Sequence, residues 1–262
     1  SDPMTTAFWR GLIGGSLILL ALIFSKGIKV FRPAIRSGYP GIIYILLIGS
    51  TTPAFVLAVT YTSVANVVFI FASIPIFALI FSYIFLGEKI LLSTLLTSLI
   101  VIIGLAIIAY GSKTSEISSW KGDVWALYVS AAYAGALTSL RKVKEISMVP
   151  TVPIAFLGSS LIIFLFHYPF SDLDEKLTFY LFHGFFIGIA SWLLTLGPRY
   201  LSSPEVSLLI LLETVFAPIL VWLVIGEFPG HLAIIGGSLI IVTLFIFNLF
   251  KLLKEKNSVY KY

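Results

Sequence analysis

The sequence predicts an all-α integral membrane protein with nine transmembrane helices. Three observations lead to this prediction. The 262 residues are 59% hydrophobic and only 11% charged, whereas soluble domains are about 45–50% apolar and about 25% charged. Residues 37–87 contain no charged side chain, and as a helix they would measure about 77 Å, enough to cross a hydrocarbon core of about 30 Å twice. The apolar residues also form continuous blocks and do not alternate as in membrane barrel strands.

Each apolar block is interpreted as a helix, because backbone polar groups in lipid must be hydrogen-bonded internally. In chain order, the predicted spans cover 7–24, 40–58, 64–86, 91–111, 123–140, 150–167, 177–197, 204–225 and 231–250. The first and last contain Gly14-Gly15 and Gly236-Gly237, which we expect at close helix contacts. The fifth is the least hydrophobic and carries several hydroxyl groups, so we expect it to face protein or water.

The distribution of basic residues predicts the orientation. Thirteen of the 17 lysines and arginines fall on one side of the predicted helices. The four on the other side are Arg10, Lys113, Lys121 and Lys176. The richer side is expected to be cytoplasmic, which places the C-terminus inside and residue 1 outside. The net charge of +5 is therefore interpreted as a topology signal, and we expect no nucleic-acid partner.

The chain contains an internal repeat. Residues 61–88 and 200–227 align without a gap at an offset of 139, share eight identities and both end in Gly-Glu. They are the third and eighth spans, an odd number apart, so they cross in opposite directions, as in the inverted repeats of secondary transporters. A repeat of five helices requires ten. We therefore expect a further helix before residue 1, a first repeat over 1–113 (helices 2–5), and a second over 114–262 with a short basic tail.

The repeated segments resemble the tandem EamA-type domains of the drug/metabolite transporter superfamily. The resemblance rests on TYTSVANVVFIFASIPIFALIFSYIFLGEK at 60–89 and LLETVFAPILVWLVIGE at 211–227. The matching residues are Pro75, Gly87 and Glu88 in the first copy, and Glu213, Gly226 and Glu227 in the second. Thr214 stands where the second copy often has proline, and we expect it to straighten that helix.

The resemblance implies a ten-helix alternating-access carrier in a prokaryotic inner or plasma membrane. Related proteins export amino acids, sugars, nucleotide sugars, polyamines and drugs. We expect a secondary exporter of small polar or amphipathic metabolites, with amino acids favoured and with coupling to protons or to a solute. A carrier for sugars, nucleotide sugars or drugs is the alternative within the superfamily.

Other functional classes have less support in the residues. No Gly-rich phosphate loop followed by Lys-Ser/Thr is present, and the three histidines are scattered without metal-ligand spacing. We therefore expect no cofactor. A membrane-embedded enzyme would need a paired acid and base within the spans, and Glu213 stands alone, so we expect no enzyme. A pore is the remaining alternative.

Glu213 is the strongest candidate site residue. It lies in the middle of the span 204–225, where a carboxylate costs about 2.5–3.5 kcal/mol on insertion scales. It would bind a solute amine or a proton, or else pack against a neighbouring helix. The segment Gly49–Pro53 is a second candidate, because Pro53 interrupts the span 40–58 and broken helices line many carrier sites. Ser50 and Thr51 would line that break, or would simply satisfy a tolerated kink.

Four further residues complete the predicted site. Asn66 lies near the start of the span 64–86 and either lines the cavity or caps the helix. Tyr44, Tyr133 and Trp192 could form an aromatic wall for a stacked or cationic solute. Polar or small neighbours favour the last two, since Ser130 and Gly188 indicate close-packed faces.

Overall fold

A computed structural model describes residues 2–111, 119–169, 173–226 and 230–259. These residues are helical and contain no β-strand, which confirms the all-α fold. The predicted boundary between the repeats at 113–114, together with Glu227, lies outside the described residues.

Twelve α-helices follow one another along the described chain. A 3₁₀ turn (Ile28–Val30) precedes the second helix, and a π-helical turn (Ser82–Leu86) continues the fifth. The helices are α1 (Pro3–Lys26), α2 (Phe31–Arg36), α3 (Tyr39–Tyr61), α4 (Val64–Phe71), α5 (Ile74–Phe81), α6 (Leu92–Gly111), α7 (Trp120–Lys142), α8 (Thr151–Phe166), α9 (Leu173–Tyr200), α10 (Ser203–Ile210), α11 (Glu213–Ile225) and α12 (His231–Val259).

Six helical segments of the described chain are long and apolar enough to cross a membrane. They are Pro3–Lys26, Tyr39–Tyr61, Asn66–Leu86, Leu92–Tyr110, Lys176–Tyr200 and His231–Lys251. The helix α8 is apolar but shorter, and neither α7 nor the α10–α11 segment meets the same criterion. The count of nine spans therefore stays a prediction.

Two of the predicted spans are broken helices, and the breaks occupy equivalent positions. The first separates α4 from α5 at Ala72-Ser73, and the second separates α10 from α11 at Leu211-Leu212. These positions differ by 139 residues, the offset of the sequence repeat. The bounds of α4 and α10, and the starts of α5 and α11, differ by the same number. Both repeat segments also end at a glycine in the left-handed region, Gly87 (φ 68°) and Gly226 (φ 80°), a conformation that favours glycine at a helix end.

The interruption predicted at Gly49–Pro53 is wrong. The helix α3 runs without a break from Tyr39 to Tyr61 and contains Pro53 in its interior. Nearby hydroxyl groups bond the backbone: Ser50 Oγ donates to the Leu47 carbonyl at 2.8 Å, and Thr51 Oγ1 donates to the Ile48 carbonyl at 2.7 Å. Local bonds of this kind let a membrane helix tolerate an internal proline.

The expectation that Thr214 straightens its helix is also wrong. Both its backbone N–H and its Oγ1 donate to the carbonyl oxygen of Leu211, at 3.2 and 2.7 Å. In a regular α-helix the N–H of Thr214 would donate to the carbonyl oxygen four residues earlier. Here it donates to the carbonyl oxygen three residues earlier, so the helix breaks although no proline is present.

The helix α7 is the centre of the packing. It contacts α3, α4, α5, α9 and α10, in agreement with its polar character. Its buried hydroxyl groups bond the backbone one turn earlier, as Ser130 Oγ does with the Ala126 carbonyl at 3.0 Å. On one side α1 packs against α8 and α9, and a Cβ added at Gly14 would lie 3.0 Å from the Gly184 carbonyl oxygen. Gly14 therefore occupies the close helix contact expected for it.

The end of the bundle that carries Glu88, here called the Glu88 end, contains two ion pairs. Arg141 Nε lies 3.0 Å from Glu88 Oε1, and Lys251 Nζ lies 2.8 Å from Glu205 Oε2. At this end α5 packs against α10. Their repeat counterparts α11 and α4 do not pack together to a comparable extent in the described part of the chain.

Candidate functional site

The two helix breaks meet at one cavity of about 200 Å³. Phe71 and Ile74 flank the first break, Ile210 and Glu213 flank the second, and all four side chains line this central cavity. These pairs are equivalent at the repeat offset of 139. The cavity is therefore built around the approximate symmetry of the two repeat segments.

Arg10 supplies a positive charge to the central cavity. It lies on α1, is half-buried, and donates from Nη2 to Thr52 Oγ1 on α3 at 2.9 Å. The buried hydroxyl of Thr52 thus holds one edge of the guanidinium. Because a guanidinium has five N–H donors, the remaining donors can serve a bound molecule.

Glu213 supplies a negative charge to the same cavity. It is the first residue of α11, and its side chain is exposed. A carboxylate is favoured at this position, because the N-terminus of a helix carries a partial positive charge. Arg10, Tyr133 and Glu213 all line this cavity. Arg10 and Glu213 are both described, and no ion pair within 4.0 Å joins them.

The remaining wall is largely apolar. Phe55, Phe156 and Ile187 contribute to it, and the rings of Phe55 and Phe71 lie 6.0 Å apart. A volume of about 200 Å³ corresponds to about seven water molecules at about 30 Å³ each. It is below the range of about 300–1,000 Å³ of pockets for drug-sized ligands. The cavity is therefore small and combines apolar walls with two charged side chains.

Three of the predicted site residues line the central cavity: Glu213, Tyr133 and Thr51. Tyr44 and Trp192 do not line it. Tyr44 is buried and its hydroxyl lies 3.0 Å from Thr195 Oγ1, joining α3 to α9. Trp192 packs against the buried apolar cluster that contains Tyr44.

The other three predicted residues also lie outside the cavity lining. Ser50 Oγ lies 2.7 Å from the hydroxyl of Tyr128, and Pro53 is an interior residue of α3. Asn66 acts at the start of α4, where its backbone N–H donates to Ser63 Oγ at 3.1 Å. Its Nδ2 donates to Asp123 Oδ1 on α7. The capping residue is Ser63, and the side chain of Asn66 instead joins α4 to α7.

Arg10 and Thr52 line the cavity but were not among the site residues predicted from the sequence. Arg10 was counted as a loop residue in the orientation argument, which is wrong because it lies within α1. The signal was present: the predicted span 7–24 contains Arg10, and a charged residue within a span indicates a functional site by default. Thr52 follows Thr51 directly and had no separate signal.

Comparison with known families identifies the kind of protein. A sequence model of the EamA-like transporter family matches residues 1–110 and 120–249. The chain belongs to this family. EamA-like transporters are membrane transporters of the drug/metabolite type, so a small-molecule solute and a lipid bilayer are the partners. Several apolar helices agree with a multi-pass membrane protein.

Solved structures support the same fold. Among 26 matching chains, one crystal structure superposes on this EamA-like chain with a TM-score of 0.74 at 15% sequence identity, covering 95% of this chain and 88% of the other. At this identity the likeness concerns the fold alone. The search of curated proteins found no match.

Proposed function

We propose that this EamA-like transporter is a secondary carrier for small zwitterionic metabolites, with amino acids as the favoured class. The observation that supports it is the presence of Arg10 and Glu213 in one small cavity at the two helix breaks. Export as the direction rests on the resemblance to EamA-type exporters. The cytoplasmic position of the C-terminus rests on the distribution of basic residues.

The charges of the cavity match those of a zwitterion. A guanidinium binds a carboxylate through two parallel hydrogen bonds, and the carboxylate of Glu213 would accept from an ammonium group. The apolar wall around Phe55 and Phe156 would take the rest of the solute. A neutral sugar would offer no opposite charge to Arg10 or Glu213 and would therefore gain less from them than a zwitterion does. The volume of about 200 Å³ favours a small solute over nucleotide sugars and drugs.

The difference between the two ends of the bundle supports a carrier over a pore. Two ion pairs and the packing of α5 on α10 join the helices at the Glu88 end, whereas the equivalent helices α11 and α4 do not pack together to a comparable extent in the described part of the chain. The equivalent breaks divide each repeat segment into two short helices that can move separately, as the broken helices of other carriers do. In the proposed cycle, the repeats 1–113 and 114–262 rock about the cavity, so that one end opens as the other closes.

Counterflow in proteoliposomes tests this function. Liposomes that contain the purified chain would be loaded with unlabelled solute. Labelled solutes would then be added outside: amino acids, the corresponding amines without a carboxylate, the corresponding acids without an amine, and sugars. We expect saturable exchange of amino acids alone. Arg36→Gln and Glu145→Gln change exposed charges outside the cavity. They are the charge-matched controls for Arg10→Gln and Glu213→Gln. Non-saturable flux would indicate a pore, and exchange of sugars but not of amino acids would refute the zwitterion assignment.

A further inference from the structure

A second cavity, of about 430 Å³, lies between α3, α7 and the π-helical turn that follows α5. We call it the lateral groove. Its floor is formed by small residues of α7, Ala131, Gly135 and Ser139. These residues are four apart and therefore lie on one face of the helix. Ile43 of α3 and Phe85 of the π-helical turn form its sides.

The lateral groove opens to the outside of the helix bundle. Ile43 is 39% exposed, Phe85 is 60% exposed and Tyr128 is 40% exposed. In a membrane protein an apolar surface of this kind faces the hydrocarbon core, so its occupant is apolar where it touches these side chains. The central cavity, by contrast, is lined by Arg10 and Glu213, so the two cavities suit different ligands.

One end of the lateral groove carries a positive charge. Lys142 is the last residue of α7 and lies beside Arg141 at the Glu88 end. Its Nζ is 5.2 Å from the centre of the Tyr39 ring and 3.4 Å from the Phe85 carbonyl oxygen. Within the described part of the chain, no carboxylate lies within 4.0 Å of this ammonium group. The groove thus joins an apolar channel to an exposed cation.

The length of the lateral groove suits one hydrocarbon chain. Tyr128 and Lys142 both line it, and the 14 residues between their positions span about 21 Å of helix. Half of a hydrocarbon core measures about 15 Å. A second helix over the same length, about 10 Å across, would occupy roughly 1,600 Å³, about four times the groove. A whole helix would therefore lie mostly outside the groove.

We infer that the lateral groove binds one anionic phospholipid, with its phosphate at Lys142 and an acyl chain along α7 towards Tyr128. The exposed ammonium gives the charge complementarity, and the small-residue floor gives the space. The π-helical turn forms one wall, and such turns occur frequently at functional sites. The bound lipid would therefore contact the segment that leads to Glu88.

Native mass spectrometry of the full chain tests this inference. The protein would be released from micelles that contain equal amounts of phosphatidylglycerol and phosphatidylcholine. Because a lysine near a membrane surface favours an anionic lipid by about 1 kcal/mol, we expect a roughly fivefold excess of bound phosphatidylglycerol. In Lys142→Gln the ratio should fall to about one. Lys144→Gln, an exposed lysine outside the groove lining, should keep the wild-type ratio.

A second variant tests the apolar channel. Ser139→Phe places a ring on the floor of the groove and should reduce the binding of both lipids, with helicity and elution volume compared with wild type as the control for folding. If this variant does not fold, Lys142→Gln still decides, because the side chain of Lys142 is exposed. An unchanged lipid ratio in Lys142→Gln would overturn the inference. So would a dimer that disappears in Ser139→Phe, since the groove would then bind a second copy of the chain.

Discussion

Replacing Arg10 with glutamine is the most direct perturbation of the proposed solute site. Glutamine keeps a polar side chain that can bond Thr52 Oγ1, now 2.9 Å from the guanidinium, but it removes the charge and the paired donors. The carboxylate of a zwitterion would then meet one neutral N–H group in place of a cation. Recognition of an amine through Glu213 should remain.

The expected loss of affinity follows from the interaction removed. A hydrogen bond to a charged group contributes about 1.5–3 kcal/mol, and each 1.4 kcal/mol is about tenfold in affinity. Arg10→Gln should therefore weaken the binding of an amino acid by about 10- to 150-fold. An amine of the same size without the carboxylate should lose less than about threefold on the same scale.

Equilibrium binding to the purified chain, measured by isothermal titration calorimetry, distinguishes these outcomes. Arg36→Gln is the matched control, because Arg36 is exposed and lies at the end of α2, outside the cavity lining. The reasoning is refuted if folded Arg10→Gln binds the amino acid within a factor of three of wild type. An equal loss for amine and amino acid would also contradict it, since the arginine would then support the cavity rather than bind a carboxylate.

Three further predictions concern the rest of the molecule. Glu213→Gln should weaken amino-acid binding by at least about tenfold and leave acids without an amine unaffected, as measured by the same calorimetry. The chain has no cysteine, so a single cysteine can be introduced and labelled. Ser82 is 3% exposed and lies beside Glu88, so the thiol-labelling rate of Ser82→Cys measures how often the Glu88 end opens. Adding Glu88→Gln should raise its thiol-labelling rate by up to about fivefold, because partly exposed ion pairs contribute about 0–1 kcal/mol. A Cβ at Gly184 would lie 2.6 Å from an α1 side chain, so Gly184→Ala should destabilise the fold by about 1–3 kcal/mol, seen as a lower Tm.

Each of these predictions has a control or a contradicting result. Equal losses for amines and acids in Glu213→Gln would count against amine recognition. A labelling rate of the Ser82→Cys variant that is insensitive to Glu88→Gln would mean that the ion pair does not hold this end closed. Nothing lies within 4 Å of a Cβ at Gly158, so Gly158→Ala should be neutral or stabilise the helix by up to about 1 kcal/mol. A similar Tm for both alanine variants would contradict the close contact.

The helical fold and the repeat could be predicted from sequence because both leave direct signals. Long apolar blocks predict membrane-spanning helices. The ungapped alignment at an offset of 139, which pairs Gly87 with Gly226, predicts that the two segments are structurally equivalent. The positions of the breaks could not be predicted. Pro53 leaves its helix intact, whereas Thr214, without a proline, closes a tight turn onto Leu211. The side-chain hydroxyl and the local backbone bonds decide between these results.

The candidate site was only partly predictable, for a different physical reason. Most of the predicted spans are apolar on all faces, so periodicity does not indicate which face meets a neighbour. Glu213 was found because a charge within a span is costly, and Arg10 carries the same signal. Thr52 and Tyr44 are both hydroxyl residues of α3, but their side chains point to different neighbours. The hydroxyl of Thr52 accepts from Arg10, whereas the hydroxyl of Tyr44 bonds Thr195 away from the cavity. That difference depends on the packing of α3 against its neighbours.

The break between α10 and α11 makes α10 a lever arm. Its eight residues measure about 12 Å, so a tilt of about 15° at Leu211-Leu212 would displace its far end by about 3 Å. That displacement is comparable with the 2.8 Å between Lys251 Nζ and Glu205 Oε2, an ion pair in the first turn of α10. A tilt at the break beside Glu213 would therefore cause its largest displacement at the far end of α10, where Glu205 pairs with Lys251.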